Sequence, residues 1–286
     1  MYKIFRLNKL LTVIITLALI LLLVVVLVPK RVGAVDEENC DEVCVPIFMY
    51  HSILKDKSRQ GKYIISPEDF EADLQYLSEN GYTTVVMQDL IDYVYNKTPL
   101  PEKPVIISFD DGYYNNYTYA YPLLEKYDAK IVISIVGTYT DLYTKTPDMN
   151  PYYAHMNWEV VDEMLSSGRI EFQNHSYNLH QNTSKRNGAK KARGESLDDY
   201  TKLLTDDLML LQKKFKDNCS YEPTTFTYPY GAVSDASVEI IKNLGFTASL
   251  SCAQKINIIK QDDPDCLYRL NRFIRTHSAS VKSILE

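Results

Sequence analysis

The sequence predicts an α/β fold, a distorted (β/α) barrel preceded by one N-terminal transmembrane helix. Short apolar runs typical of strands recur along the chain, and helical patterns with recognisable ends lie between them. One long, uncharged apolar run lies near the N-terminus. Strands that alternate with helices favour a parallel sheet, and this chain is long enough for such a sheet to close into a barrel.

Residues 10–28 contain no charged side chain and are predicted to form a transmembrane signal-anchor. As a helix they extend about 28 Å, close to the roughly 30 Å of a bilayer's hydrocarbon core. Three basic residues within 1–9 favour a cytoplasmic tail there. The alternative is a cleaved signal peptide, since small residues at 32–34 offer a processing site. We therefore expect a single-pass cell-membrane protein with an extracellular domain, or a secreted protein if the segment is cleaved.

The rest of the chain divides into a short tether and one domain. Residues 29–44 are charged and lack periodicity, which is typical of a linker, and residues 45–286 are predicted to form the domain. The 286 residues include 31 Lys and Arg against 37 Asp and Glu, a net charge of −6. An acidic protein is a poor binder of nucleic acid, and we expect no such partner. The membrane, through the N-terminal helix, is an expected partner.

Eight apolar runs in the domain are predicted strands: residues 45–49, 83–87, 105–109, 131–136, 169–172, 225–228, 246–250 and 267–274. Ser66 and Pro67 begin the first legible helix, and Gly81 ends it. Further helices are predicted at residues 158–167, 197–217 and 236–244. The five cysteines are an odd number, and the sequence allows Cys40–Cys44 and Cys252–Cys266 bridges without assigning them.

Polar residues of catalytic type recur where the predicted strands end. They are His51, Asp110, Asp111, His175 and Tyr230. Arg272 lies instead within a predicted strand. In a parallel α/β barrel the carboxyl ends of the strands form the face where active sites occur. We therefore expect these residues to lie together.

Asp111, His175 and His180 are candidate metal ligands. Two adjacent carboxylates at a strand end repel each other unless a cation is present, although Asp-Gly is also an ordinary turn pair. His175 and His180 are five residues apart, so they can converge only if residues 176–179 form a loop. Two histidines and one carboxylate leave positions open for water and substrate. A structural metal is the alternative, and it would have a closed coordination shell.

Five motifs together resemble the polysaccharide deacetylases with a NodB-like domain. They are MYHSI at 49–53, SFDDG at 108–112, HSYNLH at 175–180, YPYG at 228–231 and LNRFI around Arg272. The resemblance covers residues 45–275 and is greatest with the poly-N-acetylglucosamine deacetylase branch. It implies a distorted (β/α) barrel that removes N-acetyl groups from N-acetylglucosamine residues of an extracellular or cell-wall polysaccharide, with a divalent metal, most often Zn²⁺.

The resemblance also implies roles for individual residues. Asp110 is similar to the catalytic base, and Asp111, His175 and His180 to the metal ligands. Tyr230 resembles the residue whose backbone N–H binds the oxyanion, and His51 the general acid, with His277 as the alternative. The family's usual arginine is replaced by Thr227, and we expect Arg272 to orient Asp110 instead.

Other functions stay open on the sequence. A peptidoglycan N-acetylglucosamine deacetylase would equally suit a tethered domain that faces the cell wall. A non-catalytic, membrane-anchored glycan-binding protein is a candidate from another class. The complete set of acidic and histidine residues argues against lost catalysis.

Overall fold

The computed structural model describes residues 42–286. The predicted tail, the predicted anchor and most of the predicted tether lie outside these residues, as does Cys40. No helix among residues 42–286 is both long and apolar enough to cross a membrane. Residues 42–45 already form a strand, which pairs antiparallel with residues 257–260.

The secondary structure alternates between strands and helices through most of the chain. The strands are β1 (Glu42–Val45), β2 (Ile47–Tyr50), β3 (Ser52–Ile53), β4 (Ile64–Ile65), β5 (Thr83–Thr84), β6 (Pro104–Asp111), β7 (Ile131–Ile135), β8 (Ile170–Asn174), β9 (Thr225–Thr227), β10 (Ala248–Leu250), β11 (Asn257–Lys260) and β12 (Phe273–Ile274). The helices are α1 (Pro67–Glu79), α2 (Met87–Asn96), α3 (Tyr121–Lys126), α4 (Gly137–Lys145), α5 (Trp158–Ser166), α6 (Leu197–Cys219), α7 (Asp235–Asn243) and α8 (Val281–Leu285).

The central sheet is parallel, with the strand order β10-β9-β8-β7-β6-β2-β12, and β5 also pairs with β6. The predicted α/β class is confirmed, but the sheet is a curled half-barrel rather than a closed barrel. Within residues 42–286, β10 and the chain leading to β12 share a single β-bridge, Leu250–Leu270, instead of a ladder. The two outermost strands have three and two residues, too few for a continuous ladder.

Both faces of the sheet are buried, as expected when helices cover a parallel sheet. Alternate residues of β2, β6 and β7 point to opposite sides. Phe48, Ile107 and Ile133 pack on one side with Trp158 of α5 and Phe215 of α6. The intervening residues Ile47, Ile106 and Val132 pack inside the curl. They pack there with residues of α2 and β11, which include Met87 and Ile259. These apolar residues fill the inside of the curl, and the polar residues lie beyond them, at the carboxyl ends of the strands.

The first predicted helix is confirmed, with its beginning where the sequence indicates. The Ser66 side chain accepts from the Asp69 N–H at 3.0 Å, and the Asp69 carboxylate accepts from the Ser66 N–H at 3.2 Å. This reciprocal capping satisfies two of the N–H groups that a helix leaves unpaired.

Two of the predicted strands are reduced to two residues each. The strand predicted over 83–87 ends at Thr84, because α2 begins at Met87. The strand predicted over 267–274 is reduced to β12, since residues 264–267 form a 3₁₀ turn and Arg269 has a φ of 60°. The Asn257 side-chain oxygen accepts a hydrogen bond from the Asn271 N–H at 2.7 Å. Side-chain acceptors thus replace ladder partners, which hydrophobic periodicity does not reveal.

The Cys252–Cys266 bridge does not form. Both thiols are free, and each has its own surroundings. The Cys252 sulfur lies 3.7 Å from the Met49 sulfur, whereas the Cys266 sulfur lies 3.4 Å from the Lys260 nitrogen. Cys40 lies outside the described residues, so the Cys40–Cys44 bridge stays untested.

Candidate active site

The carboxyl ends of β6 and β8, which lie on either side of β7, and one loop bring three candidate metal ligands together. Asp111 is the last residue of β6, and His175 directly follows β8. The Asp111 Oδ1 lies 3.1 Å from the His180 Nε2 and 3.5 Å from the His175 Nε2. Ligand atoms of all three side chains lie within 4.8 Å of one another. A single ion could therefore be held by all three.

Hydrogen bonding prepares His175 for a cation. Its Nδ1 lies 2.7 Å from the backbone oxygen of Thr227, which can only accept, so Nδ1 carries the proton. In the neutral ring the Nε2 lone pair then faces the carboxylate of Asp111. The Asp111 Oδ1 is buried and has no hydrogen-bond donor among residues 42–286. Two opposed acceptors repel each other, and a cation between them removes this repulsion, so these side chains fit a divalent metal.

The five-residue separation of the histidines is accommodated by a loop at residues 176–179. Ser176 has a φ of 73°, and its N–H donates to the Asn174 Oδ1 at 2.9 Å. The carboxylate of Asp207, on α6, accepts from the N–H groups of Tyr177 and Asn178, each at 2.8 Å. Burial raises the pKa of Asp207 to about 6, although these two bonds oppose the shift. Helix α6 therefore holds the loop that directs His180 toward Asp111.

The carboxylate of Asp110 forms a bidentate ion pair with Arg272. The distances are 2.6 Å from Nη1 to Oδ1 and 2.8 Å from Nη2 to Oδ2, and both side chains are buried. The Arg272 Nε also donates to the Ser251 oxygen at 2.8 Å. Two parallel N–H···O bonds determine the orientation of a carboxylate as well as its charge.

The same pair keeps Asp110 ionised. Burial by itself would raise the pKa of the carboxyl, but the charge of Arg272 and its hydrogen bonds outweigh burial and lower the pKa. Thr227 lies at the position where the family has an arginine. Its hydroxyl forms a 2.7 Å hydrogen bond with the hydroxyl of Ser134. Arg272 reaches the same carboxylate from the far edge of the sheet.

His51 follows β2 and lies on the cavity that contains Asp110 and Asp111. Its ring centroid is 4.8 Å from that of Tyr63. Burial lowers the pKa of His51, and the two carboxylates only partly offset it. His277 lies elsewhere, because its Nδ1 is 2.9 Å from the Asp69 Oδ2 at the beginning of α1. Of the two histidines considered as the acid, only His51 lines the cavity.

Tyr230 also lines the cavity. It has a φ of 60° and a ψ of 11°, a left-handed conformation that is strained for a tyrosine and typical of functional turns. Its hydroxyl is 3.3 Å from the His180 Nδ1. The structure thus brings Tyr230 beside the three candidate ligands, although its ring is nearly half exposed.

The cavity has a volume of about 540 Å³, within the usual range for ligand sites. Sequence reasoning missed several residues around it. Lys62, Tyr63 and Tyr152 line it, and His155 is stacked against Tyr113 with a centroid distance of 4.6 Å. A charged or aromatic residue in a loop carries no periodic pattern, so the sequence offered no indication of these positions.

The comparisons with known proteins agree with this geometry. A family model described as Polysaccharide deacetylase matches residues 97–249, more than half of the 286 residues. The chain belongs to the polysaccharide deacetylase family. The resemblance inferred from the motifs is confirmed.

Individual relatives are moderately similar. A poly-beta-1,6-N-acetyl-D-glucosamine N-deacetylase of Escherichia coli (strain K12) is 24% identical over 217 residues, 69% of this chain and 32% of that protein. The Staphylococcus aureus (strain N315) protein of the same name is 27% identical over 194 residues, 68% of this chain and 62% of that protein. This chain thus spans about a third of the first relative and under two thirds of the second.

A solved structure of a de-N-acetylase from Aggregatibacter actinomycetemcomitans is also similar. It is 28% identical, with a TM-score of 0.73, and the match covers 85% of this chain and 99% of that chain. The curled α/β domain is therefore the fold that both chains share.

Proposed function

We propose that this protein is a metal-dependent hydrolase that removes N-acetyl groups from N-acetylglucosamine residues of an extracellular or cell-wall polysaccharide. The observation that carries the proposal is the cluster of Asp111, His175 and His180 beside the ion-paired Asp110 on one cavity. A three-ligand cluster leaves coordination positions for water and substrate, as hydrolytic sites do.

The three ligands would hold a divalent ion, Zn²⁺ in our proposal, because two imidazoles and one carboxylate are a donor set that zinc prefers. When bound, the ion would lower the pKa of a water molecule and polarise the acetyl carbonyl. The Thr227 oxygen keeps the His175 proton on Nδ1, so that Nε2 stays available as a ligand.

The other residues of the cavity supply the remaining steps of amide hydrolysis. Asp110, held ionised by Arg272, accepts the proton of the attacking water. The backbone N–H of Tyr230 donates to the developing oxyanion. His51 protonates the sugar nitrogen as its bond to the acetyl carbon breaks, which releases acetate and leaves an amine on the sugar.

The substrate class follows from the names of the relatives and from the spacing of the histidines. Proteins from Escherichia coli and Staphylococcus aureus that match this chain are named for poly-beta-1,6-N-acetyl-D-glucosamine. We propose the same kind of polymer here, with peptidoglycan as the principal alternative substrate. A non-catalytic glycan-binding role is disfavoured because the acidic, ligand and arginine side chains are all present and in contact.

We further propose that the domain acts outside the cell, attached to the membrane through residues 10–28 or secreted after their removal. The uncharged apolar run in the sequence supports this location. Treatment of intact cells with protease, followed by detection of the domain, tests it. A domain that stays protected until the cells are lysed would contradict the proposal.

Acetate release by the purified full chain in detergent tests the function. The substrates are β-1,6-linked and β-1,4-linked N-acetylglucosamine oligomers and peptidoglycan, each with and without a chelator. We expect acetate from the β-1,6 oligomers that stops with chelator and returns with added zinc. No acetate from any substrate, with zinc bound in stoichiometric amount, would contradict the proposal.

A further inference from the structure

Lys62 is a charged residue of the cavity whose side chain has no oppositely charged partner among residues 42–286. Besides the histidines, the charged side chains among the described lining residues are Lys62, Asp110 and Asp111. Asp110 is neutralised by Arg272, and Asp111 faces the two histidine ligands. No carboxylate of residues 42–286 forms an ion pair with Lys62, whose side chain is exposed.

Aromatic contacts hold this charge close to the reacting centre. The Lys62 Nζ lies 4.9 Å from the ring centroid of Tyr63, and the other contact of that ring is His51, at 4.8 Å. A cation over a tyrosine ring is attracted to it. Nearby, the guanidinium of Arg59 lies 5.2 Å from the ring centroid of Tyr152, which also lines the cavity. Arg59 also lies 4.0 Å from the Asp56 carboxylate, so Lys62 is the cation beside the candidate acid that has no carboxylate partner among residues 42–286.

The proposed reaction changes the charge of its substrate. An N-acetyl group is neutral, whereas the amine that replaces it is of a type that is largely protonated at neutral pH. Each turnover thus turns a neutral sugar into a cation, and a polymer that has reacted once carries a positive charge beside its next target. A fixed cation in the cleft repels such a neighbour.

We propose that Lys62 makes the enzyme select N-acetylglucosamine residues whose neighbours are still acetylated. This inference rests on the proposed function and specifies its substrate further. Repulsion weakens the binding of targets flanked by glucosamine and favours release of the cationic product. The expected product is a polymer with spaced rather than contiguous amines.

Three β-1,6-linked trisaccharides test the inference on the full chain loaded with zinc. The central residue is N-acetylglucosamine in each, and the neighbour that varies is N-acetylglucosamine, glucosamine or glucose. Glucose is neutral but lacks the acetyl group, so it separates the effect of charge from that of lost acetyl contacts. Deacetylation of the central residue is followed by mass spectrometry, and kcat/KM is compared.

We expect the glucose-flanked target to exceed the glucosamine-flanked one by about threefold to tenfold, as for like charges in a partly hydrated cleft. In the Lys62→Gln variant, the kcat/KM values for the two targets should differ by no more than about twofold. Lys57→Gln removes the same charge from the same loop at a residue that does not line the cavity, so it should leave the ratio unchanged. High salt should narrow the ratio of the wild-type protein, because it screens exposed charges.

Equal rates on the two targets in the wild-type protein, or a ratio that Lys62→Gln leaves intact, would overturn the role of Lys62. Salt independence of the wild-type ratio would also overturn it. Failure of the proposed function looks different, since no trisaccharide would then be deacetylated at all.

Discussion

Arg272 and Asp110 are 162 positions apart in the chain and form a buried, two-bond ion pair at the carboxyl end of the sheet. The pair orients a carboxylate and keeps it ionised beside the candidate metal ligands. The arginine lies in the chain that enters β12, so the curl of the sheet creates this contact.

Replacing Asp110 with asparagine should abolish turnover while the metal stays bound. Asparagine has nearly the same shape but cannot accept the proton of the attacking water, and a general base contributes about 10² to 10⁴ in rate. Acetate release and zinc content are measured on the same preparation. Unchanged activity, or loss of activity that follows loss of zinc, would contradict the assignment of Asp110 as the base.

Replacing Arg272 with lysine should lower kcat by about 10-fold to 100-fold. Lysine keeps the positive charge but cannot form the two parallel bonds that orient Asp110, and small misplacements of a catalytic group cost rates of that size. Steady-state kinetics give kcat, and thermal unfolding monitors the fold. A variant with unchanged kcat would show that the charge alone matters. Removing the charge altogether is a poorer test, because it leaves a buried carboxylate unpaired.

Asp207 should affect metal affinity without touching the metal. Replacing it with alanine frees the N–H groups of Tyr177 and Asn178 and loosens the loop between the two histidines. We expect a loss of about 10-fold to 100-fold in zinc affinity, as for other residues that position metal ligands. Competition with a chromophoric chelator measures the affinity.

Asp206→Ala is the matched control for Asp207. Asp206 is the preceding residue of α6, but its carboxylate is exposed and pairs only with Lys202 on the helix surface. Equal losses of zinc affinity in the two variants would show that α6, rather than the Asp207 contacts, is responsible.

Glu171 should make the free energy of unfolding depend on pH. It is buried, and burial raises its pKa to about 7 although it accepts from the N–H groups of Met87 and Gln88. The unfolded value is about 4.3, so between these values the folded protein binds more protons than the unfolded chain. The contribution of Glu171 to stability is therefore present in acid, falls as the pH rises through that window, and is constant above about pH 7.

Glu171→Gln isolates this effect, because glutamine resembles the protonated acid and does not titrate. Relative to the variant, the wild-type protein should lose up to about 3 kcal/mol of unfolding free energy between pH 5 and pH 8. Urea unfolding at both pH values measures the difference. A constant difference between the two proteins would mean that the helix beginning at Met87 keeps Glu171 ionised throughout.

Much of the site was predictable from the sequence because parallel strands place their carboxyl ends on one face. Asp111 and His175 each end or follow a strand, so periodicity alone was sufficient to predict that they meet. The loop between His175 and His180 followed from their spacing, since neither a helix nor a strand brings positions five apart together. The residues that hold this loop, such as Asp207, were not predictable, because a surface-type acid on a long helix has no distinguishing pattern.

Local patterns in the sequence are sufficient to predict the α/β class, the beginning of α1 at the Ser66 cap and the side chains at the strand ends. These depend on neighbours along the chain, where propensity, capping and periodicity act. Packing between distant segments decided how far the sheet closes, that Cys252 and Cys266 stay apart, and that Arg272 pairs with Asp110. The same packing places Lys62 on the cavity without a carboxylate partner among residues 42–286. Such features depend on contacts between distant segments, whose distances the curl of the sheet determines and local patterns do not encode.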